Sequence, residues 1–206
     1  MHLIIYSHPD KNSFNHAMLE AAKAAFEKKG IAFKFRHAAN SAGTVKLQEP
    51  FMNMVRPGLM LYGIYPGENL KDLARLKPVL SLKARVNFIK PIRSGESAGY
   101  GRTFAAPHAT RIAIMPIGYS HGYPWNASNH ASVLIHEKRF KVAGRVSMDY
   151  IAVDIGSEPV LLGDEVTLIG TDGKEQILAE DLAQWSGTIS YEIVTRLASH
   201  LPRFYH

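Results

Sequence analysis

The residues best suited to chemistry lie in short, glycine-bearing loops. His37-Ala38-Ala39-Asn40-Ser41-Ala42-Gly43 combines small side chains with a hydroxyl. Small residues let backbone N–H groups approach an anion closely, and Ser41 can add a hydrogen bond. Arg56-Pro57-Gly58-Leu59 sets a fixed cation beside a glycine amide. In a βα barrel the loops after the last two strands favour a phosphate group. Each stretch alone reads first as an ordinary loop. Following successive strands, the two together make a phosphate hypothesis.

Gly99-Tyr100-Gly101-Arg102-Thr103 and Ile117-Gly118-Tyr119-Ser120 offer a different kind of group. A tyrosine flanked by glycines is presented to a ligand rather than packed. A neighbouring cation can favour the phenolate and make the ring an acid or base. The alternative is a turn carrying an aromatic with no role. Gly144-Arg145-Val146-Ser147-Met148-Asp149 reads as a strand whose arginine and aspartate pair across a sheet. The chain has ten histidines, but they show neither helical ligand spacing nor a His/acid cluster. His121 and His130 flank a Pro-Trp-Asn loop and read as solvated. Asn126-Ala127-Ser128 fits a glycosylation sequon. Neither a Walker A loop nor a GxGxxG fingerprint occurs.

These loops need elements to position them. Leu3-Ile4-Ile5-Tyr6 has the character of a buried parallel strand, and Ser7-His8-Pro9-Asp10 is a turn cluster. Ser13 can cap a helix over roughly 14–29, with Phe14, Met18, Leu19, Ala22 and Phe26 on its buried face. Lys28 and Lys29 complement the helix dipole, Gly30 closes the helix, and Ile31 to Phe35 alternates as a second strand. Residues 37–48 lead through a loop into a short helical stretch. From about residue 78 strand patterns recur at 79–90, 110–117, 131–136, 139–146, 149–155 and 164–169. Helical stretches follow near 178–186 and 190–199. The predicted fold is an α/β fragment, a partial βα barrel or a flavodoxin-like βαβ, over residues 1–65. A mainly-β domain follows over 66–206.

Composition narrows the class. The 206 residues are 46% hydrophobic and 20% charged, which excludes disordered and fibrous chains. A formal charge of +6 suits an anionic ligand, yet without a basic run it argues against nucleic acid. The chain contains no cysteine, which removes disulfides, thiolate zinc sites and Cys nucleophiles. The short apolar start is no signal segment, and no stretch is long enough for a membrane helix. The expectation is a cytoplasmic protein.

The segments HAANSAG, MVRPGLMLYG, AGYGRTF, MPIGYSHGYP, GRVSMDYIAVDIG, GDEVTLIG and EDLAQWSGTISYEIVTRLASHLPRFY together resemble the C-terminal part of bacterial alanine racemase. That resemblance implies a pyridoxal 5′-phosphate-dependent, dimeric family with an N-terminal βα barrel and a C-terminal β domain. By resemblance, Ser41 and the amides of Gly58 and Leu59 bind the cofactor phosphate, with Tyr191 adding its hydroxyl. Arg56 faces the pyridine nitrogen and His37 belongs to the cofactor surround. Tyr100 matches the catalytic base for one face of alanine. Tyr119 matches a gate tyrosine, and Met148 and Asp149 match residues beside the substrate carboxylate.

The departure lies at the N-terminus. The family's second base is a lysine that also holds the cofactor, in a segment resembling Val-Lys-Ala-Asn-Ala-Tyr-Gly-His-Gly, which these residues do not contain. A closed eight-stranded barrel needs about 200 residues or more. Residues 1–30, MHLIIYSHPDKNSFNHAMLEAAKAAFEKKG, are similar to the start of a flavodoxin-like NAD(P)H:quinone reductase. That implies a flavin as the alternative cofactor and a fusion as the origin of the chain. A non-catalytic dimerisation module is the third reading. Lys11 is the lysine nearest the position of the family's own.

Overall fold

The structure, a computed structural model, describes residues 12–37, 39–46 and 53–205. The strand expected at Leu3–Tyr6, the Ser7–Asp10 turn and Lys11 lie outside the described residues. The chain divides into two compact units, Met1–Val79 and Leu80–His206. Residues 66–79, grouped by sequence with the second domain, hydrogen-bond within the first. The Tyr65 hydroxyl donates to Ala74 O and accepts from Leu76 N, both at 3.0 Å. Val79 N donates to Tyr62 O at 3.1 Å.

In the first unit, α1 runs Phe14–Lys28. Ser13 caps it, its hydroxyl accepting from His16 N at 3.2 Å. Gly30 turns the chain away in the left-handed region, φ +64°. The buried face expected of this helix is only partly buried. Leu19 is buried, whereas Phe14 and Met18 are 78% and 48% exposed. Among the described residues, 31–35 form no ladder and bend at Lys34, against the expected strand. An extended segment becomes a strand only when a neighbour takes up its backbone groups. Here the pairing is rudimentary: Asn53 N and Met54 N donate to Arg36 O, and Arg56 N donates to Ala39 O. The Asn53 side chain adds a bond from Arg36 N and one to Lys34 O. Those contacts hold the 53–56 segment against 34–39 and so place the Arg56 loop beside the Ser41 loop.

The second unit is built from antiparallel ladders. The strands are β1 (Leu82–Arg85), β2 (Phe88–Ile92), β3 (Ser97–Ala98), β4 (Phe104–Ala105), β5 (Thr110–Met115), β6 (Ser132–Ile135), β7 (Lys138–Lys141), β8 (Ile151–Asp154), β9 (Glu165–Asp172) and β10 (Glu175–Ile177). One sheet is ordered β1-β9-β6-β7 with β10 on β9; a second is β2-β5-β8; β3 and β4 form a separate pair. Strand β9 is buried at five successive positions, Val166 to Gly170, and β6 is buried throughout. That pattern marks strands covered on both faces rather than the alternation of a half-wet sheet. Full burial contributes roughly 1.5–3 kcal/mol for a side chain such as Leu134, Ile135 or Leu168, each of which is fully buried. Helices α3 (Ala179–Ser186) and α4 (Ser190–Arg196) close the chain. Residues 143–149, expected to continue a strand, are irregular.

Candidate active site

The candidate residues of the first unit gather around one hydroxyl. Ser41 opens α2 (Ser41–Lys46) and is 3% exposed. Its Oγ accepts from Gly58 N at 3.0 Å and from Met60 N at 3.3 Å. Leu59, between them, is buried and begins a 3-10 turn that ends at Tyr62. Across the loop, Gly43 N donates to Asn40 Oδ1 at 3.0 Å, which folds the small-residue segment around the serine. A side chain added at Gly58 would meet open space within 4 Å. The chemistry of this set is that of an anion cradle, with converging amides, a hydroxyl and a clear approach. His37 is half-buried, and its Nδ1 is buried without a hydrogen-bond partner among the described residues. Arg56 is half-buried on the same hydrogen-bonded pair of segments.

In the second unit Tyr100 is 74% exposed at the head of a short 3-10 turn. Glycines on both sides are left-handed, Gly99 at φ +76° and Gly101 at φ +71°. Only glycine adopts such angles without steric cost, so the two residues around Tyr100 let the turn project its ring outward. Arg145 backs the turn. A Cβ at Gly101 would stand 3.3 Å from its Nε. The guanidinium lies over the Trp125 ring, 5.3 Å from its centroid. Arg145 therefore does not pair with Asp149, as a sheet reading had it.

Tyr119, Met148 and Asp149 form one group. Tyr119 N donates to Ser147 O and Ser120 N to Met148 O, each at 3.0 Å. Gly118 makes that approach possible, because a Cβ there would lie 2.3 Å from Ser147 O. Ser120 Oγ donates to Asp149 Oδ1 at 2.8 Å. Tyr119 and Met148 are 45% and 54% exposed. Tyr191 stands exposed in the first turn of α4. His121, read from sequence as solvated, is half-buried and accepts from Gly118 N through Nδ1 at 3.1 Å. Its place three residues after the start of the turn is the spacing of a capping side chain, a signal the sequence held. Among the described residues no three His, Asp or Glu side chains gather as a metal cage.

Comparison with known proteins fits this arrangement. The family described as alanine racemase, C-terminal domain, matches residues 79–205. That is more than half of the chain. The chain belongs to the alanine racemase family. The N-terminal domain of the same family matches residues 1–66. Alanine racemase of Carboxydothermus hydrogenoformans is 46% identical over 179 residues, covering 86% of this chain and 49% of that protein. The enzyme from Nostoc sp. is 39% identical over 205 residues, covering 98% and 53%. Among solved structures, alanine racemase from Streptomyces coelicolor A3(2) superposes with a TM-score of 0.88 at 34% identity, covering 97% of this chain and 54% of that one. The chain thus spans about half the length of the alanine racemases it matches. These matches also correct the reading of residues 1–30. They fall inside the alanine racemase N-terminal match, and nothing supports a flavodoxin-like segment or a flavin.

Proposed function

We propose that this chain carries the tyrosine-bearing half of a pyridoxal 5′-phosphate-dependent alanine racemase. The exposed presentation of Tyr100 between two left-handed glycines is the observation that carries the reading. Tyr100 moves a proton at the α-carbon of alanine on one face, its phenol oxygen taking or returning that proton. Tyr119, Met148 and Asp149, tied into one piece, line the side from which the amino acid arrives and set the position of its carboxylate.

Ser41, with the amides of Gly58 and Leu59, would hold the cofactor phosphate, and the Tyr191 hydroxyl would add a fourth donor. Arg56 would face the pyridine nitrogen, with His37 beside it. When bound, the cofactor supplies an electron sink that acidifies the α-C–H bond. A guanidinium with a pKa above ~12 gives up no proton to the ring, so Arg56 keeps that sink modest and confines the chemistry to proton exchange. Among the described residues no helix is long and apolar enough to cross a membrane. The cytoplasm is the compartment we assign.

Racemisation needs a base on each face of the substrate. These 206 residues lack the family's lysine segment, so the chain by itself is expected to interconvert L- and D-alanine barely or not at all. In the family one subunit's β domain delivers its tyrosine to the barrel site of the other. The expected assembly is therefore a dimer with a racemase subunit. The test mixes this chain with a racemase whose own catalytic tyrosine is changed to Phe. Activity should return with the unaltered chain and vanish with Tyr100→Phe. A strictly monomeric chain, or rescue indifferent to Tyr100, refutes the reading.

A further inference from the structure

We propose that His121 is the positioning residue for Tyr119 and Asp149, acting through an unprotonated Nδ1. The proposal rests on the reading of those two residues as substrate-side groups. It starts from a shared atom. His121 Nδ1 accepts from Gly118 N at 3.1 Å and lies 3.1 Å from Ser120 Oγ. The serine has a single proton to donate, and its oxygen stands 2.8 Å from Asp149 Oδ1. A carboxylate is the stronger acceptor, so the proton goes there. The amide of Gly118 always points its hydrogen at the ring. That nitrogen must therefore keep its lone pair, which assigns the neutral ring proton to Nε2.

The consequence reaches three groups at once. Gly118 N–H ties the residue before the Tyr119–His121 turn to the ring, while Tyr119 N and Ser120 N bond Ser147 O and Met148 O and His121 N bonds Gly118 O. Ser120 carries the link to Asp149. A proton on Nδ1 would face the Gly118 hydrogen head on and turn the same atom from acceptor to donor. The turn would lose the bond that fixes its N-terminal end, and Asp149 would be drawn toward a cationic ring.

Asp149 approaches His121 from the 147–150 loop through Ser120. His200 approaches from the C-terminal segment, its ring edge-on with centroids 5.4 Å apart. That segment also contributes Ala198 N, which donates to His121 O at 3.1 Å. The ring thus sits between the tail and the Tyr119 turn, where either could displace it.

The experiment compares His121→Ala with His121→Asn in the full chain. Asparagine keeps a short oxygen acceptor for Gly118 N–H; alanine keeps none. In the rescue assay with the tyrosine-to-Phe racemase, His121→Ala should raise KM for alanine about tenfold, with a smaller change in kcat. His121→Asn should restore KM. Nitrogen-15 NMR of the histidines in the unaltered chain should show the neutral His121 ring as the Nε2-protonated tautomer, with coupling from Nδ1 to the Gly118 amide. A protonated Nδ1, or an alanine variant with unchanged KM, would overturn the role of His121 while leaving the site intact. Absence of rescue by the unaltered chain would instead overturn the reading of the site, whatever the NMR signature. Should His121→Ala fail to fold, the asparagine variant and the NMR signature still decide.

Discussion

The two units solve the burial problem to different degrees. The β unit assembles a core of its own, with Val133, Leu134, Ile135, Val153, Val166 and Leu168 all fully buried, although Phe88, Leu161, Leu162 and Ile189 stay exposed on its surface. The helical unit also leaves large groups in solvent, with Phe14 at 78%, Phe35 at 60% and Leu61 at 69% exposure, but among its described residues it buries only Leu19, Ala39, Leu59, Ile64 and Leu70 as hydrophobic core. Antiparallel ladders can close through short turns, as β6–β7 and β9–β10 do, and the longer-range pairs β1–β9 and β5–β8 then add strands to those formed locally. Parallel pairing needs a crossover and another strand beyond it, and among the described residues the 31–36 segment has two backbone bonds to 53–56, both to Arg36 O, and none to a formed strand. The contrast teaches that the unit carrying Tyr100 holds its shape through its own ladders and core, while the Ser41–Gly58 loops sit on a unit with few buried apolar groups.

The sharpest way to break that contrast is a pair of truncations. Leu168→Ala in β9 should cost about 2–5 kcal/mol in urea unfolding monitored by near-UV circular dichroism. Phe14→Ala on α1 should change stability by less than about 0.5 kcal/mol, as an exposed site does. Equal losses would mean that the two units share one core. A smaller effect tests the close approach behind Tyr119. Gly118→Ala pushes a methyl group to 2.3 Å from Ser147 O, and should cost about 1–3 kcal/mol in the same unfolding measurement. A silent substitution would show that the 118 and 147 segments are not held together.

The smallest effect probes a flaw in the better-packed unit. Tyr123 is fully buried, and its hydroxyl has no hydrogen-bond partner among the described residues. Burial pushes that phenol well above its ordinary pKa, so the ring stays neutral throughout the stable range. Tyr123→Phe removes a polar atom whose desolvation nothing offsets. Thermal unfolding should show stability unchanged or raised by up to about 1 kcal/mol. A clear loss would reveal a partner for the hydroxyl and a more satisfied core.

Much of the β unit was legible because alternation and turn residues are local signals. The strands expected at 110–117, 131–136 and 164–169 correspond to β5, β6 and β9, and the Ser13 cap was visible in residue type alone. The two-residue β3 and β4 lie below what periodicity can detect. The α1 face failed for another reason. Its spacing marks a stripe that could be buried, but only tertiary neighbours decide whether it is, and Phe14 lacks them. Within the site, glycine spacing pointed to Tyr100 and Tyr119, and small residues to Ser41. Arg145 and His121 were misread because their partners, Trp125 and Gly118, are set by the fold of the loops. Neither a sheet pair nor a solvated loop describes them.

Strand β1 pairs with β9, Leu82 opposite Ile169 and Arg85 opposite Glu165. On the ribosome this closing pair is separated by the synthesis of every strand between them. At about 5–20 residues per second, β1 therefore waits several seconds for β9, its ladder partner, to emerge. The Tyr119 turn waits longer, because Ala198 must emerge before it can bond His121 O. The helical unit is exposed throughout that interval with Phe14 and Phe35 uncovered. The order of synthesis thus makes the nascent chain a natural client for chaperones, and residues 198–200, translated after every strand of the unit, complete the surroundings of the Tyr119 turn.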